Sequence, residues 1–176
     1  MINFKKLSIT EVLLIEPKIF NDERGFFFES YNQKEFEEAI ERKVTFVQDN
    51  QSFSNYGVLR GLHSQKQPHE QAKLIRVIEG KIFDVAVDIR KNSRTYGQWV
   101  GEILSSKNNK MLWIPEGFAH GFLVLSDFAH VLYKTNNYYN RYSETCIRWD
   151  DPQINIKWPN VENKIISNKD QKGILI

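Results

Sequence analysis

Cysteine is nearly absent from this chain of 176 residues, which contains only Cys146. A single cysteine excludes an internal disulfide, and its place in a strand-like run favours a buried, unreactive thiol. No apolar stretch approaches the ~20 residues that span a bilayer. The segment from Met1 to Lys6 develops no apolar signal-peptide core. We therefore expect a soluble, cytoplasmic protein that does not enter a membrane.

An excess of charge of one sign is also missing. The 24 Lys and Arg residues offset 22 Asp and Glu residues, which leaves a formal net charge of +2. Proteins that bind nucleic acids usually concentrate basic residues in a patch or a tail, and the sequence contains no such block. Nucleic acid is therefore not an expected partner, and a functional positive charge is expected to act locally, on a small anion.

Several catalytic signatures are missing as well. The sequence contains no glycine-rich phosphate loop of the Walker or the dinucleotide type. It also lacks the motifs that surround a Ser or Cys nucleophile. These absences disfavour nicotinamide chemistry and covalent catalysis.

Short period-two and apolar runs dominate the sequence and predict an all-β barrel or sandwich. One stretch, from Gln33 to about Arg42, has helical spacing after a possible Asn32 cap. No repeat or linker divides the chain, so one domain is expected over residues 1–176, with a barrel core at about 10–150 and a short tail at 159–176. The predicted strands lie near residues 10–15, 25–30, 44–53, 58–63, 71–78, 80–89, 98–104, 110–114, 119–125, 129–135 and 144–149.

A metal site must be considered because the chain contains four histidines: His63, His69, His120 and His130. The segment Pro115 to His120 has the Pro-x-Gly-x-x-His spacing of the second half of the cupin metal signature. The first half needs a His-x-His pair, but Gln65 stands where the histidine after His63 would be. Since a tight transition-metal site needs three or more convergent ligands, no metal is predicted.

The predicted strand near residues 58–63 contains an arginine and has a histidine at its end. Strand alternation places Arg60 and His63 on opposite faces unless a bulge intervenes, and Gly61 allows a bulge. A histidine at a strand end is by itself more often structural than catalytic, so this pattern alone assigns no role. His120 opens a strand just after a Pro/Gly turn, a position from which it could point into the mouth of a barrel.

A lysine and a tyrosine are expected on apolar strand faces. Lys73 shares its face with Val77, and because an unpaired charge is costly to bury, the amine must either reach water or meet an anion. The pattern leaves both possibilities open. Tyr133 shares its face with Ala129 and Val131, where a core tyrosine is the simpler interpretation. Together with His63, these side chains suit proton transfer beside a carbonyl whose developing negative oxygen is held by cations.

Taken together, several segments resemble the dTDP-4-dehydrorhamnose 3,5-epimerase family. The resemblance extends from about residue 5 to Pro159, with residues 167–170 beyond it, and the order and spacing of the motifs make it specific. The matching segments are Phe20–Ser30, Phe46–Asn50, Gly57–His63, Phe83–Arg90, Trp113–Phe122 and Leu132–Thr135.

The resemblance implies a fold, a reaction and an assembly. The fold would be an all-β cupin-type jelly-roll barrel with short flanking helices, in a homodimer with strand exchange. The reaction would be epimerisation at C3 and C5 of dTDP-4-dehydro-6-deoxyglucose, which gives dTDP-4-dehydrorhamnose for rhamnose biosynthesis. It would need neither a metal nor any other cofactor.

The resemblance also implies catalytic roles. His63 would remove the proton next to the ketone, and Asp170 would orient the imidazole of His63. Lys73 would stabilise the enolate oxygen, and Tyr133 would return a proton from the opposite face. The residues that would surround the substrate are Arg24, Glu29, Gln48, Asn50, Arg60, His120, Glu144 and Lys169.

Two of these assignments carry an alternative. Because the family's dimers exchange strand material, Arg24 and Glu29 would serve the partner's site. The segment Ser167 to Asp170 has the spacing of a capping box, so Asp170 is also a helix-capping candidate. The capping and orienting roles of Asp170 are compatible.

Other functions stay open at this level. They are a single-centre epimerase or 3,4-ketoisomerase acting on a related dTDP-keto sugar, a non-catalytic sugar-nucleotide-binding cupin, and a metal-dependent cupin oxygenase. Tyr133 favours inversion, because inversion needs an acid opposite the base. The full set of His63, Lys73 and Tyr133 argues against a pure binding protein, and the missing His-x-His pair disfavours the oxygenase.

The glutamine at position 65 generates the first prediction. Protein treated with a chelator should keep the epimerase activity that the resemblance implies, because the sequence lacks the second histidine of the cupin metal signature. The measurement is turnover before and after chelation and dialysis. Loss of turnover on chelation, with recovery on addition of a divalent ion, would contradict the prediction.

Overall fold

The computed structural model of this chain describes residues 2–176. The helices are α1 (Gln33–Ile40) and α2 (Asn168–Gln171). The strands, in chain order, are β1 (Asn3–Lys6), β2 (Leu13–Glu16), β3 (Phe20–Asp22), β4 (Gly25–Phe27), β5 (Gln48–Asn55), β6 (Val58–Gln65), β7 (Lys73–Glu79), β8 (Lys81–Asp88), β9 (Trp99–Ser105), β10 (Met111–Ile114), β11 (Phe118–Val124), β12 (Phe128–Thr135), β13 (Glu144–Cys146) and β14 (Ile165–Ile166).

The strands form two facing sheets and a separate hairpin. The first sheet has the order β1-β2-β10-β7-β12-β5, and the second has the order β13-β6-β11-β8-β9 with β14 beside β6. Strands β3 and β4 pair only with each other in the described residues. Neighbouring strands are antiparallel apart from β14, which runs parallel to β6. This arrangement is the expected all-β jelly-roll barrel of the cupin type.

The main core lies between the two sheets. Its buried side chains come from alternating positions of strands in both sheets, as the period of two along a strand requires. Ile75 and Val77 of β7 face inward, while Leu74 belongs to a second core on the outer side of the same sheet. Both faces of this sheet are therefore covered near β7, which explains its almost continuous apolar sequence.

The helix α1 covers the outer face of the first sheet. It begins after Asn32, whose side chain accepts a hydrogen bond from the backbone N–H of Glu35, so the predicted cap is confirmed. The buried ring of Phe36 packs edge-on against Trp113 of β10. The helix ends at Ile40, two residues before the predicted end, because Glu41 adopts a left-handed conformation.

Every predicted strand corresponds to an observed one, although some boundaries differ by several residues. The predicted strand at 44–53 begins at Gln48 and continues to Asn55, and the strand predicted at 144–149 ends at Cys146. Three short strands, β1, β3 and β14, were not predicted. They are two to four residues long and largely exposed, so they show too few alternations for a periodic signal.

The tail after Pro159 folds back onto the second sheet. Strand β14 pairs with β6, and the backbone N–H of Asp170 in α2 donates to the Ser167 hydroxyl. The predicted helix start at Ser167 is therefore confirmed. No helix within residues 2–176 is long and apolar enough to cross a membrane.

A β-bulge in β6 changes which side chains face the interior. His63 pairs with His120 of β11, whereas Arg60 pairs with Phe122, so Gly61 and Leu62 together oppose one residue. Gly61 has a φ of 123°, and a Cβ added to it would lie 2.6 Å from the Cα of Gly121. The close approach of β6 and β11 at this bulge therefore requires glycine.

The bulge generates a stability prediction with a matched control. Gly61→Ala should lower the free energy of unfolding by about 1–3 kcal/mol more than Gly25→Ala, because overpacking adds to the backbone strain. Gly25 has the same φ of 123°, but no heavy atom lies within 4 Å of its added Cβ. Urea denaturation of both variants is the measurement. Equal losses would show that β6 and β11 do not need the close approach.

Candidate active site

A polar cavity of about 200 Å³ opens at one end of the barrel, between the two sheets. It is enclosed by side chains from β5, β6, β7, β11, β12, β13 and nearby loops. The lining residues are Ser52, Arg60, His63, Ser64, Gln65, Gln71, Lys73, His120, Phe122, Tyr133, Tyr139 and Glu144.

Strand β6 contributes both Arg60 and His63 to this cavity. Simple alternation alone would place them on opposite faces, but the bulge that Gly61 allows is present and adds one residue between them. The Nε of Arg60 donates to the Ser54 hydroxyl at 2.9 Å, and Nη2 donates to the Phe53 carbonyl at 3.3 Å. These contacts with β5 hold the guanidinium at the edge of the cavity.

His63 is paired with Asp170 from helix α2. The imidazole Nε2 donates to Oδ1 of Asp170 at 2.7 Å, and the backbone N–H of Gly61 donates to Oδ2 at 3.1 Å. Burial alone would raise the pKa of Asp170, but these hydrogen bonds outweigh it and lower that pKa below its usual value. Because Nε2 is engaged, Nδ1 is the nitrogen of His63 that is left to accept a proton.

Asp170 does not cap α2 with its own side chain, because the hydroxyl of Ser167 is the cap. The backbone N–H of Asp170 is capped by Ser167, while its carboxylate turns to His63 and Gly61. This carboxylate is 3% exposed, and its contacts are more than 100 residues away in sequence. The short tail is thus tied to the barrel through the site itself.

Lys73 lies on the inner face of β7 with its amine buried. Of the two possibilities left open by the sequence, the interior position is therefore confirmed. The amine donates to the His63 carbonyl at 3.3 Å. Burial lowers the pKa of Lys73 to about 8, and the charges of Asp84 and Glu144 offset part of that shift.

Tyr133 faces His63 from the other sheet. It lies on the inner face of β12 with Ala129 and Val131, as predicted, and its ring packs against the main core. Burial raises the pKa of the phenol, an effect that the charge of Arg60 partly offsets. The hydroxyl therefore keeps its proton at neutral pH and can act as a proton donor.

His120 forms a second histidine–carboxylate pair that includes a residue the sequence reasoning missed. Its Nε2 contacts Oδ1 of Asp84 at 2.7 Å, and both side chains are almost fully buried. Burial lowers the pKa of His120, although the neighbouring Asp84 opposes this shift. A signal for Asp84 existed in the sequence, since a lone acid between Ile82 and Ala86 lies on an apolar strand face and needs a partner.

Glu144 and Lys169 form an ion pair beside the cavity. The hydroxyl of Tyr139 also donates to Glu144, at 3.2 Å. Contact with Lys169 lowers the pKa of Glu144 against the opposing effect of burial. Lys169 lies over a neighbouring groove that Arg60, His63 and Asp170 also line, so two cationic side chains, Arg60 and Lys169, lie on this side of the barrel.

Gln48 and Asn50 lie on the same face of β5 as the cavity residue Ser52. The side-chain amide of Gln48 donates to Asn50, and its carbonyl accepts from the backbone N–H of Tyr139. Gln48 thus supports the loop that carries Tyr139 over the site, and Asn50 in turn holds the Gln48 side chain.

Arg24 and Glu29 are not brought to this cavity within their own chain. Arg24 lies on the exposed β3–β4 hairpin and pairs with Asp22 at 2.5 Å. The hairpin also exposes Phe26 and Phe27, at 62% and 67%. Neither Arg24 nor Glu29 therefore lines the cavity of its own chain.

Metal-ligating side chains within residues 2–176 converge at one place, where His63, Cys146 and Asp170 meet. Gln65, which replaces the second histidine of the cupin signature, is not part of this cluster and is hydrogen-bonded to the backbone of other residues. Its amide donates to the His69 carbonyl at 2.6 Å and accepts from the backbone N–H of Asn140 at 2.6 Å. It therefore holds the loop around residue 140.

Comparison with known proteins identifies close relatives over nearly the whole chain. A family model described as dTDP-4-dehydrorhamnose 3,5-epimerase matches residues 6–176. The dTDP-4-dehydrorhamnose 3,5-epimerase of Shigella flexneri is 60% identical over 171 residues, which cover 97% of this chain and 94% of that protein.

Solved structures show the same similarity. The dTDP-6-deoxy-D-glucose-3,5-epimerase of Legionella pneumophila, crystallised with dTDP-4-keto-L-rhamnose, has a TM-score of 0.97 and 51% identity, and covers 99% of this chain and 93% of its own. A 3′-monoepimerase of Streptomyces bikiniensis in complex with dTDP-quinovose has a TM-score of 0.91 at 30% identity, and covers 96% and 85%. The fold is thus shared with an enzyme whose name describes epimerisation at a single carbon.

The buried amine of Lys73 generates a prediction about proton binding. In protein labelled with ¹³C-lysine, the Lys73 Cε signal should titrate with a midpoint near pH 8, because burial lowers its pKa to about 8. Asp84→Asn should lower that midpoint further, since it removes a charge that favours the ammonium. The Lys73 Cε signal should be missing from the spectrum of Lys73→Arg, which assigns that signal. A midpoint near 10.5, the ordinary pKa of a lysine side chain, would mean that the amine reaches water.

Proposed function

This chain belongs to the dTDP-4-dehydrorhamnose 3,5-epimerase family, and we propose that His63, Lys73 and Tyr133 carry out its two epimerisations. The enzyme is an isomerase that epimerises C3 and C5 of dTDP-4-dehydro-6-deoxyglucose to give dTDP-4-dehydrorhamnose.

The observation that carries the proposal is the placement of the two proton-transfer groups on opposite sheets. His63 projects from β6 of the second sheet, and Tyr133 projects from β12 of the first sheet, into one cavity. A sugar ring between the sheets presents one face to each side chain. Inversion needs removal of a proton from one face and delivery to the other, and this arrangement supplies both groups.

His63 is the general base in this proposal. Its Nδ1 accepts the proton from the carbon next to the C4 ketone, while Asp170 holds the ring through Nε2 and stabilises the imidazolium that forms. Asp170 acts through His63, so it is a positioning residue.

Lys73 stabilises the negative charge that develops on the sugar. A ketone at C4 acidifies the protons on both C3 and C5, and both enolates carry their charge on the same oxygen. One fixed ammonium can therefore serve both steps, and burial strengthens its attraction for that oxygen. His120, held by Asp84, lines the pocket beside it.

The nucleotide is proposed to lie along the cationic side of the barrel. Arg60 and Lys169 meet the diphosphate, since guanidinium and ammonium groups suit phosphate oxygens. Gln48, Asn50 and Glu144 hold the nucleoside near the Tyr139 loop. No metal or other cofactor takes part in the proposed mechanism.

The active form is proposed to be a homodimer with strand exchange. The exposed aromatic side chains of the β3–β4 hairpin support it, because such a patch marks an interaction surface. In the dimer, Arg24 and Glu29 reach the partner's site. We also propose that residues 1–176 form one epimerase domain, and its cytoplasmic location stays a prediction.

Hydrogen exchange in heavy water tests the roles of His63 and Tyr133. The wild-type enzyme should incorporate solvent deuterium at both C3 and C5, as followed by mass and proton spectra. Tyr133→Phe should keep exchange but impair inversion at one or both carbons. His63→Ala should lose at least about 10²-fold in exchange rate, and Asp170→Ala should lose less, because it only orients the base.

Circular dichroism and dTDP binding by the variants provide the folding control. An active His63→Ala protein would overturn the base assignment. Exchange at C3 alone would indicate a single-centre epimerase, and a ketone appearing at C3 would indicate a ketoisomerase. Tight binding without exchange at either carbon would leave a non-catalytic cupin.

A further inference from the structure

Three side chains of different chemistry meet beside the sugar cavity. Donor atoms of His63, Cys146 and Asp170 all lie within 4.8 Å of one another. The Sγ of Cys146 is 3.6 Å from Oδ1 of Asp170, the same oxygen that accepts from His63. An imidazole, a thiolate and a carboxylate are the ligand types found in protein zinc sites.

Strand register builds this cluster and holds it in place. Cys146 of β13 is the cross-strand partner of His63 on β6, and the neighbouring residues Leu62 and Ile147 exchange two backbone hydrogen bonds. The His63–Cys146 pair is therefore the non-hydrogen-bonded kind, in which side chains lie closest. Asp170 is the third member of the cluster. Its Oδ1 contacts the other two side chains, and its Oδ2 accepts a hydrogen bond from the backbone N–H of Gly61.

We propose that His63, Cys146 and Asp170 form an inhibitory site for a soft divalent cation such as Zn²⁺ or Cd²⁺. Bond lengths of ~2.0–2.3 Å separate tetrahedral ligands by little more than 3 Å. The sulfur–oxygen distance already suits this geometry, and the His63–Asp170 pair needs only a small opening. The fourth position is left to solvent.

Charge and protons balance in the binding step. The cation bonds to the imidazole nitrogen, the thiolate and the carboxylate, and Cys146 releases its proton to solvent. Two negative ligands then neutralise the two positive charges of the ion.

Inhibition follows from the nitrogen that the ion occupies. Coordination at Nε2 requires the ring proton of neutral His63 to lie on Nδ1, which removes the lone pair that accepts the substrate proton. This step rests on the proposed function of His63 as the base. Cys146 and Asp170 do not line the sugar cavity, so kcat should fall while KM changes little.

A cadmium titration of the chelator-treated enzyme tests the site by two independent readouts. The first is thiolate-to-metal charge-transfer absorption, which must come from Cys146 because the chain contains one cysteine. The second is kcat, which should fall by at least about 10²-fold at saturation and recover on chelation. Both changes should share one midpoint.

Cys146→Ser and Cys146→Ala are the matched variants. Both should keep wild-type turnover without metal, lose the absorption band, and need more than about tenfold more Cd²⁺ for the same inhibition, because a soft ion prefers a thiolate. His63→Ala should weaken the band, whatever its effect on catalysis. Turnover by metal-free His63→Ala tests the proposed base separately.

Two results would overturn the proposal. Equal inhibition of wild type and both Cys146 variants would place the inhibitory ion elsewhere. An absorption band without loss of kcat would show that the ion does not engage His63.

Discussion

The site depends on one backbone constraint, the bulge at Gly61 and Leu62 in β6. Because side chains alternate along a strand, one extra residue between Arg60 and His63 is what allows both to face the same cavity. The bulge also aims the backbone N–H of Gly61 at Asp170, the carboxylate that holds His63. The positions of His63, Asp170 and Arg60 around the cavity therefore share a single geometric origin.

Charge compensation at the polar end of the barrel follows from that arrangement. Lys73, Asp84 and Asp170 are each less than a tenth exposed, a situation that is too costly for isolated charges. The two acids are paired with His120 and His63, and the charge of Asp84 favours the ammonium of Lys73. The Lys73 amine itself donates to the His63 carbonyl and lines the cavity.

Sequence reasoning was most successful where one side chain sits in a regular strand. Tyr133 faces the interior with Val131, as alternation predicts, and Lys73 shares the face of Val77, although alternation left open whether its amine reached water. Sequence reasoning was less successful where a residue's role depends on a partner that is distant in the sequence. Asp84 was missed because nothing along β8 shows that its partner is His120, 36 residues away. Cys146 was interpreted as a buried, unreactive thiol, and its proximity to His63 depends on the pairing of β13 with β6.

By itself, the sequence determined the all-β class, the start of α1, the helix start at Ser167 and, through its motifs, the family. These features depend on neighbours within a few residues, where periodicity and caps act. The tertiary structure decided that His63 faces the same cavity as Arg60. It also decided that Asp170 contacts His63 across 107 residues of sequence and that Cys146 lies beside them. Such contacts depend on strand register and on a bulge, and neither leaves a periodic signal in the chain.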